Sequence, residues 1–585
     1  MSYSLKRLAL YGDIEWSSYY FAEFVCNAAG LEVDTTLGYS AALVSQAALD
    51  GNVCVELQAF AGKPLFKSML DDGDEPLLGP DVDTWRAALE ACVCVGHAGE
   101  HQPLIFDEHR LYLQRFWYYE DVVARRIQSM LGDRDVVNAD IEERLQALEG
   151  SNTAMDAEQT AATIAAASRQ FVVISGGPGS GKTSTVIRIL ALLMSQDANY
   201  RVALAAPTGK AAARMMESIR QRLDQLPIDA DLKAALPIES QTLHRLLRYR
   251  HGRFVYNEGH RLPVDCVIVD EASMIDLKLM YQLLTALPDN ARLILLGDRD
   301  QLASVAAGNV LADITGQGAR HDTRVRELAQ ATRLLGSNYR FGSDSAIGAL
   351  ARQVNRGDAS GAIDGLRQGE PQLRWYDAAG DSVNRDALSW LLDRYQGIFQ
   401  SETPAEALDV YEKTRLLCAT NRGPLGIDAM NTGISAALLA RNGLAVTERF
   451  AGLPIMITRN ARELSLFNGD TGMLWLVDGE LRAFFREADG GLRDLSINRL
   501  PVFKPAWAVT VHKSQGSEFD AVLLLLPGDG NAELLSRELL YTAITRARHH
   551  FLLQASTPVI KQVIGRLTQR HSGLATKLGW RQSLD

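Results

Sequence analysis

Residues 171–185 read FVVISGGPGSGKTST, and the reading of this stretch decides the fold. The run Phe171-Val172-Val173-Ile174 is aromatic and β-branched without a polar break, as a strand buried on both faces requires. It passes into the glycine-rich turn Gly176, Gly177, Pro178, Gly179, Ser180, Gly181, and an apolar helix is predicted from Lys182 onward. Strand, G-x-x-x-x-G-K-T and helix in that order are the context of a phosphate-binding loop. The glycines let backbone N–H groups turn inward around phosphate oxygens, at a helix N-terminus that already favours anions. In that geometry Lys182 reaches the β- and γ-phosphates and Thr183 holds Mg²⁺, with Ser184 next to it in the nucleotide site. A glycine-rich turn arising by chance would lack the two flanking elements. The stretch implies ATP and Mg²⁺.

Upstream, Asp156-Ala157-Glu158-Gln159-Thr160 opens an Ala-rich helix, with Asp156 placed to cap it. Gln159 could pair with an adenine edge through its amide, although a Gln on a helix is ordinarily just solvated. Downstream, Arg201 to Ala206 reads as a second strand ending in Pro207-Thr208-Gly209-Lys210, followed by a helix carrying Arg214. Polar turns at strand carboxyl ends are where open α/β sheets hold ligands. Thr208 and Lys210 suit the phosphates of a nucleic acid strand; a plain helix cap is the competing reading. Ser240 to Arg245, with Thr242 and His244, is a second cluster of that kind, and YRHGRFVYNEGHRLP (249–263) reads as a small exposed hairpin.

Cys266-Val267-Ile268-Val269-Asp270-Glu271 is then an apolar strand ending in two carboxylates. Such an ending is weak evidence alone and strong evidence about ninety residues after a phosphate-binding loop. Asp270 would hold the metal and Glu271 would polarise the attacking water. Leu293 to Gly297 is another buried strand, running into Asp298-Arg299-Asp300-Gln301, where Gln301 is placed to sense the γ-phosphate. Strands near 171, 202, 266 and 293 with helices between them predict a doubly wound parallel sheet.

A second half begins near 334. Residues 412–420 predict a strand, and short strands with tight turns run from about 447 to 503: Gly469-Asp470, Asp478-Gly479 and Asp489-Gly490 supply the turns. This predicts a small antiparallel β-barrel inserted in an α/β domain. The parent pattern resumes at 507–526 and 539–548. Arg340 and Arg546 lie in polar breaks of this half, and either could reach across to a triphosphate as an arginine finger.

The chain has 585 residues, 47% of them apolar, enough for three or four domains with real cores. The six cysteines form no C-x-x-C pair, no apolar run is long enough to span a bilayer, and the N-terminus has no signal core, which together favour a reducing cytoplasm. Residues 1–120 carry 7 Lys/Arg against 18 Asp/Glu, so the net charge of −11 sits in this block and the remainder balances. An acidic block is a poor phosphate tracker and a plausible docking domain for a protein. Its aromatic cluster Phe116 to Tyr119 fits burial against the next domain better than an open interaction surface.

The linked motifs GGPGSGKT, APTGKAAARM, VDEASMID, GDRDQLASV, NYRFGSDS, VHKSQGSEFD and YTAITRAR stand in the order found in superfamily-one DNA helicases. More narrowly the chain resembles the RecD branch, with TLHRLL before the hairpin and FNGD before the predicted barrel. The resemblance covers about 150–555 closely and the first 120 residues loosely. It implies an α/β fold with two RecA-like parallel-sheet P-loop domains at 121–332 and 333–585, an N-terminal docking domain at 1–120, a pin hairpin at 249–263 and an SH3-like insertion at 447–503. It also implies 5′–3′ movement along single-stranded DNA, and assembly with RecB and RecC on double-strand DNA ends. The roles it implies are adenine for Gln159, phosphate and Mg²⁺ for Lys182 and Thr183, metal and water for Asp270 and Glu271, and γ-phosphate sensing for Gln301, Arg340 and Arg546. Thr208, Thr242, His244, His512 and Ser514 would lie near the DNA strand. No residue departs from the family pattern at these positions, and no carboxylate cluster for a nuclease is recognisable. A free-standing RecD-like helicase, or a nucleotide-gated clamp that does not translocate, would be the rival functions.

Overall fold

A computed structural model describes residues 4–66, 76–131, 141, 143–145, 156–197, 199–223, 239–316, 326–336, 345–378, 380, 382–487, 490–528 and 535–580. Its centre is a six-stranded, all-parallel sheet in the order Thr332–Leu335, Phe171–Gly176, Arg292–Gly297, Cys266–Val269, Val202–Ala206, Ser240–Thr242. Side chains alternate between its faces, as a pleated strand demands. Phe171, Val173, Val267, Val269, Leu293 and Leu295 enter one core with the helix Leu277–Ala286. Val172, Ile174, Cys266, Ile268, Ile294 and Leu296 enter the other, beneath the helices Ala157–Ser168, Lys182–Gln196 and Gly209–Leu223. Continuous apolar strands are thus explained by burial on both faces. The four predicted strands are present; Ser240–Thr242 and Thr332–Leu335 are additions, and both lack a long apolar run.

The second sheet is also all-parallel, in the order Leu373–Tyr376, Ala547–Gln554, Phe519–Leu525, Thr414–Cys418, Ala508–Thr510. Between Thr414–Cys418 and Ala508–Thr510 the chain forms a five-stranded antiparallel sheet, ordered Leu492–Ser496, Glu480–Arg486, Thr471–Val477, Pro454–Ile457, Phe503–Pro505. The N-terminal block builds its own core from the helices Leu5–Tyr11, Trp16–Ala29, Thr36–Leu49 and Val82–Glu90 and a four-stranded sheet. The indole of its buried Trp85 donates to Ser40 Oγ at 2.8 Å. The 249–263 hairpin has strands of two residues each, Tyr249–Arg250 against Arg253–Phe254.

Two expected boundaries fall inside elements, and one segment packs on the other half from the one expected. Helix Gln114–Met130 runs unbroken through residue 120 because its apolar face, including Trp117, Val123, Ile127 and Met130, packs on the first sheet's helices. Phe116 and Tyr119 pack against that same core, with the Tyr119 ring 4.6 Å from Tyr281; Tyr118 remains more open. Strand Thr332–Leu335 straddles the boundary expected at 332 and pairs with Phe171–Gly176, so the first sheet keeps the chain to 335. The last segment, expected with the second half, leaves it: Leu574, Ala575, Leu578 and Trp580 are buried in the core of the first sheet.

Candidate functional site

The first parallel sheet presents strand carboxyl ends to a cleft that the second sheet meets through residues just before its strands Phe519–Leu525 and Ala547–Gln554, and the predicted residues gather on the first sheet's side of it. Gly179 and Gly181 have φ of 83° and 85°, a left-handed conformation that strains any residue with a side chain. They turn the loop so that helix Lys182–Gln196 begins at once behind it. The Lys182 ammonium donates to the carbonyls of Gly176 and, at 3.1 Å, Gly177. Lys182, Thr183 and Asp270 line a cavity with Val186, Met215, Ile219 and Leu296. Ser180 Oγ is buried with no partner among the described residues, although Ser180 and Pro178 are both enclosed. A cation, a hydroxyl and a carboxylate beside a glycine turn that holds an unpartnered polar atom fit a magnesium–nucleotide phosphate chain.

Asp270 emerges from strand Cys266–Val269 onto this cavity, with Glu271 following it. Asp270 is pushed up to about 6, by burial first and by the Glu271 charge second, with Lys182 opposing. Its Oδ1 accepts the Glu271 N–H at 2.8 Å. Glu271 itself sits at φ 53°, left-handed for a non-glycine, which is the kind of backbone strain stored at functional sites.

Gln159 is buried and donates from Nε2 to the Ser180 carbonyl at 3.3 Å, bracing the loop. Asp156 caps its helix as predicted, Oδ1 accepting from Gln159 N at 2.8 Å. Ser184 Oγ accepts from Arg222.

The second sheet grips the loop after Gly297. Tyr541 Oη donates to Asp298 Oδ2 at 3.0 Å, and Gln301 Nε2 donates to the same oxygen at 3.1 Å. Leu302 N donates to Thr542 Oγ1 at 2.9 Å, and Gln515 Nε2 donates to the Leu302 carbonyl at 2.7 Å. Asn355 Nδ2 donates to Asp300 Oδ2 at 3.0 Å. Farther along the cleft, Arg214 pairs with Glu518, which also takes Arg548 at 3.3 Å. Arg546 is buried, bonding through Nη1 to the Ser517 carbonyl at 3.1 Å and through Nε to the Thr542 carbonyl at 3.1 Å. Burial lowers its pKa, while the Glu271 and Glu518 charges counteract. Arg340 lies outside the described residues.

The residues expected near a DNA strand divide. Thr208 Oγ1 accepts Ala211 N and Thr242 Oγ1 accepts Arg245 N, each at 3.2 Å, so both cap helices. Ser514 is buried and its hydroxyl turns inward to the Val511 carbonyl at 2.7 Å. Lys210 is accessible, with its ammonium 6.0 Å from the Phe519 ring centroid across the cleft. His244 meets Tyr249 edge-on and Phe254 at a tilt, both rings of the hairpin at 5.6 Å, and partial burial lowers its pKa. His512 is half-buried, its pKa lowered by burial and by Arg570. Tyr541, Asp298, Thr542 and Gln515 were given no role by the sequence, although Tyr541 and Asp298 stand inside recognised motifs.

A family model described as an AAA domain matches residues 159–307, a UvrD-like helicase C-terminal domain matches 505–553, and a RecBCD enzyme subunit RecD N-terminal domain matches 13–112. The chain is 36% identical over 577 residues to the RecBCD enzyme subunit RecD of Mycobacterium tuberculosis strain H37Rv, covering 97% of this chain and 95% of the relative. It is 32% identical over 648 residues to RecBCD enzyme subunit RecD of Haemophilus influenzae, covering 98% and 99%. It is also 30% identical over 484 residues to the ATP-dependent RecD2 DNA helicase of Deinococcus radiodurans, covering 80% of this chain and 60% of that one.

Proposed function

The chain belongs to the RecD family, and from that premise we infer an ATP-dependent DNA helicase subunit of a RecBCD-type assembly. One observation carries the reading: the loop, Lys182, Asp270 and Glu271 lie at the edge of one parallel sheet while Tyr541 and Thr542 of a second close against it. A site shared between two sheets changes their spacing whenever its occupant changes, which is what a translocating motor requires.

Lys182 would bind the β- and γ-phosphates, and Thr183 and Asp270 would hold Mg²⁺, which would supply positive charge against the transferred phosphoryl group. Glu271 takes a proton from the attacking water. Gln301 contacts the γ-phosphate region, and Arg546 and Arg340 bring positive charge from the second half. Gln159 acts on the adenine side. Lys210, Thr208, Thr242, His244, His512 and Ser514 form or brace the path of the DNA strand. The hairpin Tyr249–Phe254 serves as the pin at the duplex junction, and the five-stranded antiparallel sheet is SH3-like. The acidic N-terminal domain docks on RecC and RecB supplies the second motor and nuclease, with the assembly acting in the cytoplasm on double-strand DNA ends. The near-complete coverage of RecD subunits, against 60% of the Deinococcus RecD2 helicase, favours the subunit over the free-standing helicase.

Co-purification followed by unwinding of duplexes with 5′ or 3′ single-stranded tails tests this. RecB- and RecC-type subunits retained, and 5′-tail unwinding dependent on Lys182, are the expected results. A chain that retains neither subunit yet unwinds 5′-tailed DNA is the free-standing helicase instead.

A further inference from the structure

The Gln301 side chain donates from Nε2 to Asp298 Oδ2, and its buried Oε1 has no partner among the described residues. An ionised carboxylate only accepts, so the amide must turn its NH₂ edge to Asp298 and its carbonyl edge away. What fixes Asp298 therefore fixes the direction of that free carbonyl. Asp298 is 2% exposed, and its Oδ1 accepts from Asp300 N at 3.1 Å. Its remaining side-chain donor comes from the other sheet: Tyr541 Oη, at 3.0 Å. Tyr541 is itself buried, on the helix Arg537–Ile544, and Thr542 beside it holds Leu302 N.

We propose that Tyr541 is a positioning residue for ATP hydrolysis, acting through Asp298 to hold the Gln301 carbonyl as an acceptor for the attacking water. The proposal rests on the helicase reading above and assigns it a contact made only when the two sheets are closed. When the second sheet withdraws, Asp298 loses its phenolic donor and Gln301 is free to rotate. Closure and the competence to hydrolyse are then one event. Burial, and the neighbouring Asp298 and Asp300 charges, push the Tyr541 phenol well above its usual range, so it remains a donor throughout the working pH range.

The test is a double-mutant cycle on the purified full chain, with any co-purifying subunits retained, single-stranded DNA present and the rate left in Lys182→Gln subtracted. Tyr541→Phe removes one oxygen and Asp298→Asn keeps the shape, so both retain folding, checked by an unchanged thermal midpoint. Each is expected to lower kcat about tenfold, the loss of a hydrogen bond to a charged group, with KM for ATP little changed. The double variant is expected to be no slower than Asp298→Asn alone, because Tyr541 works through that carboxylate. Losses that multiply, or a Tyr541→Phe effect confined to KM or to stability, would overturn the proposal. A wild-type chain without DNA-stimulated ATP hydrolysis would instead overturn the helicase reading on which it stands.

Discussion

Ser572 Oγ donates to Glu120 Oε2 at 3.0 Å, joining the last segment of the chain to a helix 452 residues earlier. The Glu120 carboxylate also accepts from Gly573 N at 2.9 Å and Tyr112 Oη at 3.1 Å, with Lys577 Nζ at 3.8 Å. Around it, Val53 N donates to the His571 carbonyl at 2.8 Å, Gln128 Nε2 to the Lys577 carbonyl at 2.8 Å, and Trp580 Nε1 to the Ile314 carbonyl at 3.1 Å. The segment leaves the second sheet and straps the N-terminal block to the first. Its centre is a fully buried carboxylate whose pKa is raised by burial and held back by Lys577 and these donors.

Glu120→Ala should therefore be among the most damaging substitutions far from the nucleotide cavity. It leaves three donors without an acceptor and removes the charge opposite Lys577. Lys577 keeps Asp107 at 3.1 Å, so the cost comes from the donors, about 1–3 kcal/mol for each one left buried and unpaired. Denaturant unfolding should show a correspondingly lowered midpoint, and limited proteolysis should cut earlier near residue 570. An unchanged midpoint would mean the strap is not part of the folded core.

Asp313 adds a pH dependence to the same region. Its carboxyl is pushed up to about 7, by burial and by the Glu120 charge, with Ser572 and Arg570 opposing. In the unfolded chain it titrates near 3.8. Between these values the folded state holds a proton that the unfolded state has lost, so stability declines as pH rises through the window and is flat beyond it. Asp313→Asn removes that decline. Its thermal midpoint should match wild type near pH 4 and exceed it by a few degrees at pH 8. A gap that is constant across pH would exclude titration of this group.

The carboxylate pair at the cavity makes a third prediction. Lys182→Gln should abolish ATP turnover by this chain while leaving its assembly intact. Glu271→Gln should bind ATP normally and hydrolyse it about 10²–10⁴-fold more slowly, the usual contribution of a positioned base. Single-turnover hydrolysis beside equilibrium nucleotide binding separates the two; unaltered hydrolysis in Glu271→Gln would mean another group takes the proton.

How much of this was legible depended on whether a feature is local. The strand Phe171–Gly176 and its loop are written in contiguous residues, and so are Asp270 and Glu271 at the end of a continuous apolar run. Strands Ser240–Thr242 and Thr332–Leu335 were missed because edge positions are half-solvated and carry no apolar run. The boundary at 120 failed because Gln114–Met130 carries one amphipathic face across two cores. Thr208 and Thr242 matched two chemistries at once, and hydrogen bonds to Ala211 and Arg245 place them as caps. The strap was invisible because Glu120, Ser572 and Asp313 have no pattern in sequence; only the fold brings them together. Tyr541 sat in a recognised motif, yet its partner Asp298 lies 243 residues away.

Gly177 gives the last prediction, and it probes the closed cleft from the loop side. A Cβ built there would lie 2.9 Å from Tyr541 Oη, closer than real Cβ atoms come to a neighbour, with Asp298 Oδ2 next at 3.8 Å. The obstruction is a single oxygen belonging to the other sheet. Gly177→Ala should thus leave the first sheet folded and oppose closure, seen as weakened DNA stimulation of ATP turnover rather than as a lower thermal midpoint. Removing that oxygen should relieve it: Gly177→Ala combined with Tyr541→Phe should be no slower than Tyr541→Phe alone. If the alanine is equally harmful with or without the hydroxyl, its Cβ obstructs the phosphates directly and the contact with Tyr541 is incidental.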